Sequence, residues 1–368
     1  MKYLSEYRDP AVVQQLLQEI HATVTQPWTL MEVCGGQTHS LVKNGILQLL
    51  PEQITMVHGP GCPVCVTPQS LIDKAVYLAE EAGVILCSYG DMIRVPGTHR
   101  SLLEAKAAGA DVRILYSPLE AVEIAKQQPD KQVVFFAVGF ETTAPANALS
   151  VVHAQQAGIH NYSILTSHVL VPPAIEAIVT DPDNVVQGFL AAGHVCTIMG
   201  EEEYIPLVQR YRLPIVITGF EPVDLLQGIL MLVKQLEAGE YRLENQYSRV
   251  AHAQGNAAAR ATIAQVFEVS DREWRGIANI PKSGYELKSS YASFDANRKF
   301  DIAIGSSHVS NGCIAGDILR GKKKPFECPQ FGSTCHPMNP LGAPMVSSEG
   351  ACAAYYHFHH MAAESLAL

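Results

Sequence analysis

No apolar run in this chain approaches the ~20 residues that crossing a bilayer requires, which argues against a membrane-spanning protein. The first twenty residues, MKYLSEYRDPAVVQQLLQEI, contain no secretory apolar core and read instead as an amphipathic helix starting near Asp9-Pro10. A cytoplasmic protein is therefore expected. Basic clusters are also missing: the formal charge is −10 and the one basic run is Lys322-Lys323-Lys324. That balance argues against a nucleic-acid binder, which needs clustered basic residues. No G-x-x-x-x-G-K-[ST] loop and no G-x-G-x-x-G turn occurs, so motifs give no support for nucleotide or dinucleotide binding. No G-x-S-x-G elbow is present for a serine hydrolase.

What remains is an apolar chain of 368 residues, 48% hydrophobic and 17% charged. It is long enough for two or three cores. Between about residues 28 and 235, short β-prone runs alternate with amphipathic stretches. Trp28–Met31, Ile54–Val57, Val84–Cys87, Val112–Leu115, Val133–Phe136, Ser163–Thr166, Val185–Phe189 and Ile215–Thr218 read as strands. Helical spacing covers 70–82, 101–108, 119–127, 145–156 and 172–179. This alternation predicts an α/β fold with parallel sheets and crossover helices. VGFE (Val138–Glu141) recurs as TGFE (Thr218–Glu221), which reads as two strand-to-helix turns. Beyond Glu237 the texture becomes more polar, and 313–352 is loop-rich.

The nine cysteines carry the chemistry. In a reducing compartment they suit catalysis or metal binding better than structural disulfides. Cys87 and Cys196 lie within or beside apolar runs and read as packing residues. Cys34 stands in MEVCGGQTH (Met31–His39) after the first strand. The two glycines that follow it leave its thiol approachable, and His39 could serve as base, donor or second ligand. A tight turn with an incidental cysteine is the alternative. Cys62 and Cys65 stand in HGPGCPVCVTP (His58–Pro68) after the second strand. A C-x2-C pair is half a metal site or a redox dithiol, and the stiff turn favours the dithiol. Cys313, Cys328, Cys335 and Cys352 follow with gaps of 14, 6 and 16 residues. Four thiolates suit a cubane iron–sulfur cluster or structural zinc, and the spacing does not choose between them. Glu141 could bind a ligand or cap its own helix, and Asp91 could pair with Arg94.

These segments together resemble one family. MEVCGGQTH, HGPGCPVCVTP, GDMIRVPG (90–97), VGFETTAP (138–145), GFEPVDLLQG (219–228), ENQY (244–247) and SSEGACAAYY (347–356) are similar to signature segments of the hydrogenase maturation factor HypD family. The resemblance runs from the N-terminal helix to the last cysteine. It implies two similar parallel-sheet α/β domains, 1–118 and 119–236, and a loop-rich C-terminal iron–sulfur cluster domain, 237–368. It further implies a factor for assembling the iron centre of nickel–iron hydrogenases, which carries cyanide and carbon monoxide. By the same resemblance Cys34 would bind the nascent iron with His39 nearby, and Cys62 and Cys65 would be a redox dithiol. Cys313, Cys328, Cys335 and Cys352 would hold a [4Fe-4S] cluster. The implied partners are HypC, in a stable complex, and HypE, as a transient cyanide donor; the hydrogenase large subunit would be reached through HypC. The competing function is a stand-alone thiol–disulfide oxidoreductase using the CPVC dithiol and the cluster.

Overall fold

Asp9 opens the first helix: its side chain accepts the Ala11 N–H at 2.8 Å and Pro10 fills the first turn. The computed structural model describes residues 5–300, 302 and 312–365. Among these, nine strands build two parallel sheets. They are β1 (Trp28–Glu32), β2 (Ile54–His58), β3 (Val84–Ser88), β4 (Val112–Ile114), β5 (Gln132–Gly139), β6 (Tyr162–His168), β7 (Gly188–Ala192), β8 (Ile215–Thr218) and β9 (Leu243–Asn245). One sheet has the order β2-β1-β7-β8-β9, the other β4-β3-β5-β6. The fold is α/β, as expected.

Crossover helices start where the sequence supplies caps. Ser101 and Ser117 each form a capping box, with Glu104 and Glu120 respectively. Both faces of each sheet are covered, so the central strands β3, β5, β7 and β8 are buried along nearly their whole length. In β1, Leu30 joins one core with Leu190 and Val216, while Met31 joins the opposite core with Phe189 and Ile217. Cys87 is fully buried in β3. Cys196 is buried too, but in the helix Gly193–Met199 rather than in a strand. The strand expected from Val185 begins instead at Gly188, leaving Val185 half exposed.

The sheets interleave along the chain. The first takes β1 and β2 and then β7 to β9, while the second occupies 84–168 between them. A cut at residue 118 falls between β4 and β5, inside the second sheet. Alternation identifies strands and crossovers, but not which sheet a later strand rejoins. The first four strands of the first sheet in chain order repeat the arrangement of the second. The two GFE turns, however, follow β5 and β8, which are the third and fourth strands of their sheets.

Beyond β9 the polar segment contains an antiparallel hairpin, β10 (Phe267–Trp274) and β11 (Ala278–Leu287), with a register shift between Ser270 and Arg272. Short turns then carry Cys313, Cys328 and Cys335, and a final helix (Ala351–Ser365) carries Cys352. Among the described residues no helix is long and apolar enough to cross a membrane.

Candidate functional site

β1 and β2 run parallel in register from Trp28↔Ile54 to Glu32↔His58, so the two cysteine turns leave the sheet side by side. Their backbones touch. The Gly59 N–H donates to Glu32 O at 2.8 Å, and the Gly35 N–H donates to Gly61 O at 2.8 Å. A Cβ on Gly61 would lie 2.2 Å from the Cys34 nitrogen, so only glycine admits this approach. Cys34 caps the helix Gly35–Lys43, its carbonyl accepting from Gln37 and Thr38 N–H at 2.9 and 3.0 Å.

A buried polar chain lies beneath this turn. One carboxylate oxygen of Glu32 accepts the Cys34 N–H at 3.1 Å. The other accepts from Thr38 Oγ1 and lies opposite His58 Nδ1, both at 2.6 Å. His58 Nε2 lies 2.9 Å from the Tyr355 hydroxyl. Burial pushes the Glu32 carboxyl up, and its bonds to His58 and Thr38 partly offset that.

The Cys34 thiol is only 2% exposed and sits 3.6 Å from His194 Nε2. His194 belongs to the helix after β7, and its ring stacks on Phe220, which follows β8. β1 and β7 are neighbours whose crossovers depart in opposite directions, so Cys34 and His194 occupy the crevice at the switch point. Burial pushes the Cys34 thiol well up, with the charges of Glu349 and Glu32 adding to it. Burial lowers His194 to about 4. The pair is thus a neutral thiol beside a neutral imidazole. A soft cation entering there would displace the thiol proton and gain one sulfur and one nitrogen donor. His39, which the sequence placed as partner for Cys34, bonds through Nδ1 to Ser348 O at 3.0 Å and meets the Phe358 ring edge-on.

Cys62 and Cys65 are joined in a disulfide, with Cα atoms 5.2 Å apart. Cys62 caps the one-turn helix Pro63–Val66. Cys65 and Cys313 both line one cavity of about 320 Å³, together with Arg275 and Gln69. The dithiol turn and the first of the four late cysteines therefore face a common space.

The quartet is drawn together by the C-terminal turns. Cys335 and Cys352 pack with Ile318 and Met345. Burial raises Cys352, and the charges of Cys313, Cys335 and Cys328 raise it further. Cys313 likewise feels Cys328 and Cys335. The Leu341 N–H points at Cys335 Sγ, 3.4 Å away, and a Cβ on Gly342 would lie 2.4 Å from Cys313 Sγ. Four clustered thiols, whose ionised forms would repel one another, fit a cationic core that would neutralise them. Among the described residues no three His, Cys, Asp or Glu side chains are arranged to hold a single metal ion. The lysine run serves elsewhere: Lys322 pairs with Asp181 and Asp183, Lys323 with Glu327, and Lys324 donates to Met56 O.

Glu141 follows β5 at the corresponding crevice of the second sheet, between β3 and β5. It does not cap its own helix. One oxygen accepts the Val171 N–H at 2.9 Å, and the other is buried without a hydrogen-bond partner. Burial pushes this carboxyl up to about 8. Asp91 does pair with Arg94, at 3.1 Å.

Sequence reasoning missed Glu32, His58, His194 and Tyr355. Two of them stood in view: Glu32 and His58 are the charged or polar ends of otherwise apolar strands. His194 carried no such signal, because its partner is 160 residues away in the chain.

The family described as "HypD: Hydrogenase formation hypA family" matches residues 11–359. The hydrogenase maturation factor HypD of Azotobacter vinelandii is 47% identical over 367 residues, covering 97% of both chains. That of Rhodobacter capsulatus is 44% identical over 370 residues, 97% of this chain and 98% of its own. The one from Escherichia coli (strain K12) is 44% identical over 373 residues, 99% of this chain and 100% of its own. Matches of this extent, on a chain with these cysteine turns, place the protein in the HypD family of hydrogenase maturation factors.

Proposed function

We propose that this chain is the scaffold on which the iron of a nickel–iron hydrogenase centre receives its cyanide and carbon monoxide ligands. The iron is cargo, held by Cys34 together with a cysteine of HypC, and HypE delivers cyanide. The observation that carries this reading is the Cys34–His194 pair, a buried sulfur and nitrogen 3.6 Å apart at a sheet switch point. Iron bearing strong-field cyanide and carbonyl ligands needs few protein donors, and a thiolate is a suitable soft one.

Cys62 and Cys65 supply electrons beside that site. A thiocyanate R–S–CN that takes up two electrons leaves as a thiolate and cyanide. Oxidation of the Cys62/Cys65 dithiol to the disulfide releases two electrons and two protons, which balances the step. Cys313, Cys328, Cys335 and Cys352 would hold a [4Fe-4S] cluster, which supplies electron storage when bound. The cavity that Cys313 shares with Cys65 supports that division of labour.

The test is anaerobic isolation of the chain with HypC, with iron and acid-labile sulfide quantified and cyanide bands read in the infrared. Cys34→Ala should lose the cargo iron and its bands while retaining about four irons and four sulfides on the quartet. Equal cargo iron in wild type and variant would overturn the scaffold reading. A colourless protein carrying zinc would overturn the cluster assignment.

A further inference from the structure

Arg275 sits in the turn between β10 and β11, pointing into the cavity that Cys65 and Cys313 also line. The turn is pinned from several sides. The Arg275 N–H donates to Val66 O at 2.8 Å, directly after Cys65 in sequence, and Nη1 donates to Pro96 O at 3.2 Å. Trp274 is buried and donates through Nε1 to Ser283 Oγ at 2.8 Å. Gly276 has φ +75°, and a Cβ built on it would stand 3.0 Å from the Gly316 Cα. The guanidinium is consequently held in place rather than left to swing.

Its charge has no carboxylate bonded to it among the described residues; only the fields of Cys313 and Asp73 reach it. Burial lowers its pKa, yet an arginine stays protonated in a protein. An enclosed cation bonded to a neutral carbonyl is costly unless negative charge arises nearby. Cys313 lines the same cavity and its field reaches the guanidinium; the one bond at this cavity whose reduction creates further negative charge is the Cys62–Cys65 disulfide. Two electrons from an external dithiol, which is itself oxidised to a disulfide, together with one proton convert it to a thiol and a thiolate.

We propose that Arg275 is the fixed counter-charge for the thiolate formed when Cys62–Cys65 is reduced, and that it sets the reduction potential of this pair. Arg275 is a positioning residue in this scheme: it touches no substrate and acts through the field it places on the dithiol. A cation beside a thiolate stabilises the reduced form and makes the disulfide more oxidising. Lys could replace it in charge, whereas Gln could not. The inference rests on the reading of Cys62 and Cys65 as a cycling pair.

The experiment equilibrates the full chain anaerobically in reduced and oxidised dithiothreitol, then alkylates it. Mass spectrometry of the peptide containing Cys62 and Cys65 gives the reduced fraction. Arg275→Gln should make the disulfide at least tenfold harder to reduce, about 30 mV more negative for a two-electron couple. Arg275→Lys should stay within about threefold of wild type, since the charge is what matters. Gln69→Glu, at the first residue of the helix Gln69–Glu80, places a carboxylate in the same cavity and should shift the pair in the same direction as Arg275→Gln. An unchanged potential in folded Arg275→Gln overturns the proposal, and so does an unchanged potential in Gln69→Glu if Arg275→Gln does not fold. A wild-type disulfide that dithiothreitol cannot open in the folded chain would instead overturn the cycling pair itself.

Discussion

The Tyr355 hydroxyl lies 2.9 Å from His58 Nε2, so the helix that carries Cys352 is bonded to the strand that leads into the GPGCPVC turn. His58 passes the connection to Glu32, and Glu32 holds the Cys34 N–H. Three chain segments far apart in sequence meet through one buried polar chain. Tyr355→Phe removes the hydroxyl and leaves a buried ring nitrogen of His58 without its partner. The expected cost is about 1–3 kcal/mol, read as a lower urea midpoint. An unchanged midpoint would show that the bond contributes nothing net.

Gly61→Ala tests how closely the two cysteine turns must approach. The new methyl would lie 2.2 and 2.4 Å from the Cys34 nitrogen and Cα, which are backbone atoms without a side-chain escape. The two turns should be forced apart, with a stability loss of roughly 2 kcal/mol or more and weakened cargo-iron retention. Native stability together with full iron content would contradict the need for contact.

His194→Ala separates the two candidate histidines. With His194 Nε2 3.6 Å from the Cys34 thiol and His39 bonded to Ser348 O, the His194 variant should lose at least tenfold in iron retention in the HypC complex. His39→Ala should lose much less. The reverse ranking, measured by metal analysis after gel filtration, would move the nitrogen donor to His39.

Glu141 gives a pH dependence with a definite sign. Its carboxyl titrates near 8 in the fold against an ordinary value of 4.5. Between those values the folded chain keeps a proton that the unfolded chain has released, so stability falls as pH rises. This group contributes a slope of about 1.4 kcal/mol per pH unit across that window. Glu141→Gln should remove it, gaining on wild type from pH 5 to 8 in chemical denaturation. Parallel curves for the two proteins would rule out a raised carboxyl.

Dissolving one disulfide should leave the fold standing. The loop between Cys62 and Cys65 is short, so replacing both with serine forfeits little chain-entropy stabilisation, about 2 kcal/mol. The far-UV circular dichroism spectrum should match wild type while cyanide ligation is lost. Normal cyanide bands in the double variant's complex would remove the dithiol from the reaction.

Much of this was legible beforehand for local reasons. Asp9-Pro10, Ser101 and Ser117 announce helix starts because caps are set by neighbours in sequence. The strands before Cys34 and Cys62 are visible as apolar runs that end in glycine. What stayed hidden depends on distant partners. Nothing near residue 188 says that β7 joins β1 rather than β6. The β10–β11 hairpin was obscured by its irregular burial and by Lys282, which takes a positive φ of 53°. Arg275 belongs to none of the motifs, and only the fold brings it to the cavity that Cys65 lines.

The interleaved sheets also set an order of construction. A chain made from its N-terminus can pair β3 to β6 once about residue 168 has emerged, while β1 and β2 still wait for β7. His194 and Phe220 arrive later, and Ser348 and Tyr355 come near the very end. Cys34 is among the first residues synthesised and among the last to acquire its surroundings. A chain still on the ribosome and shorter than 194 residues would display that thiol without its histidine. The surroundings of Cys34 are thereby a late product of folding, assembled from segments 160 or more residues downstream.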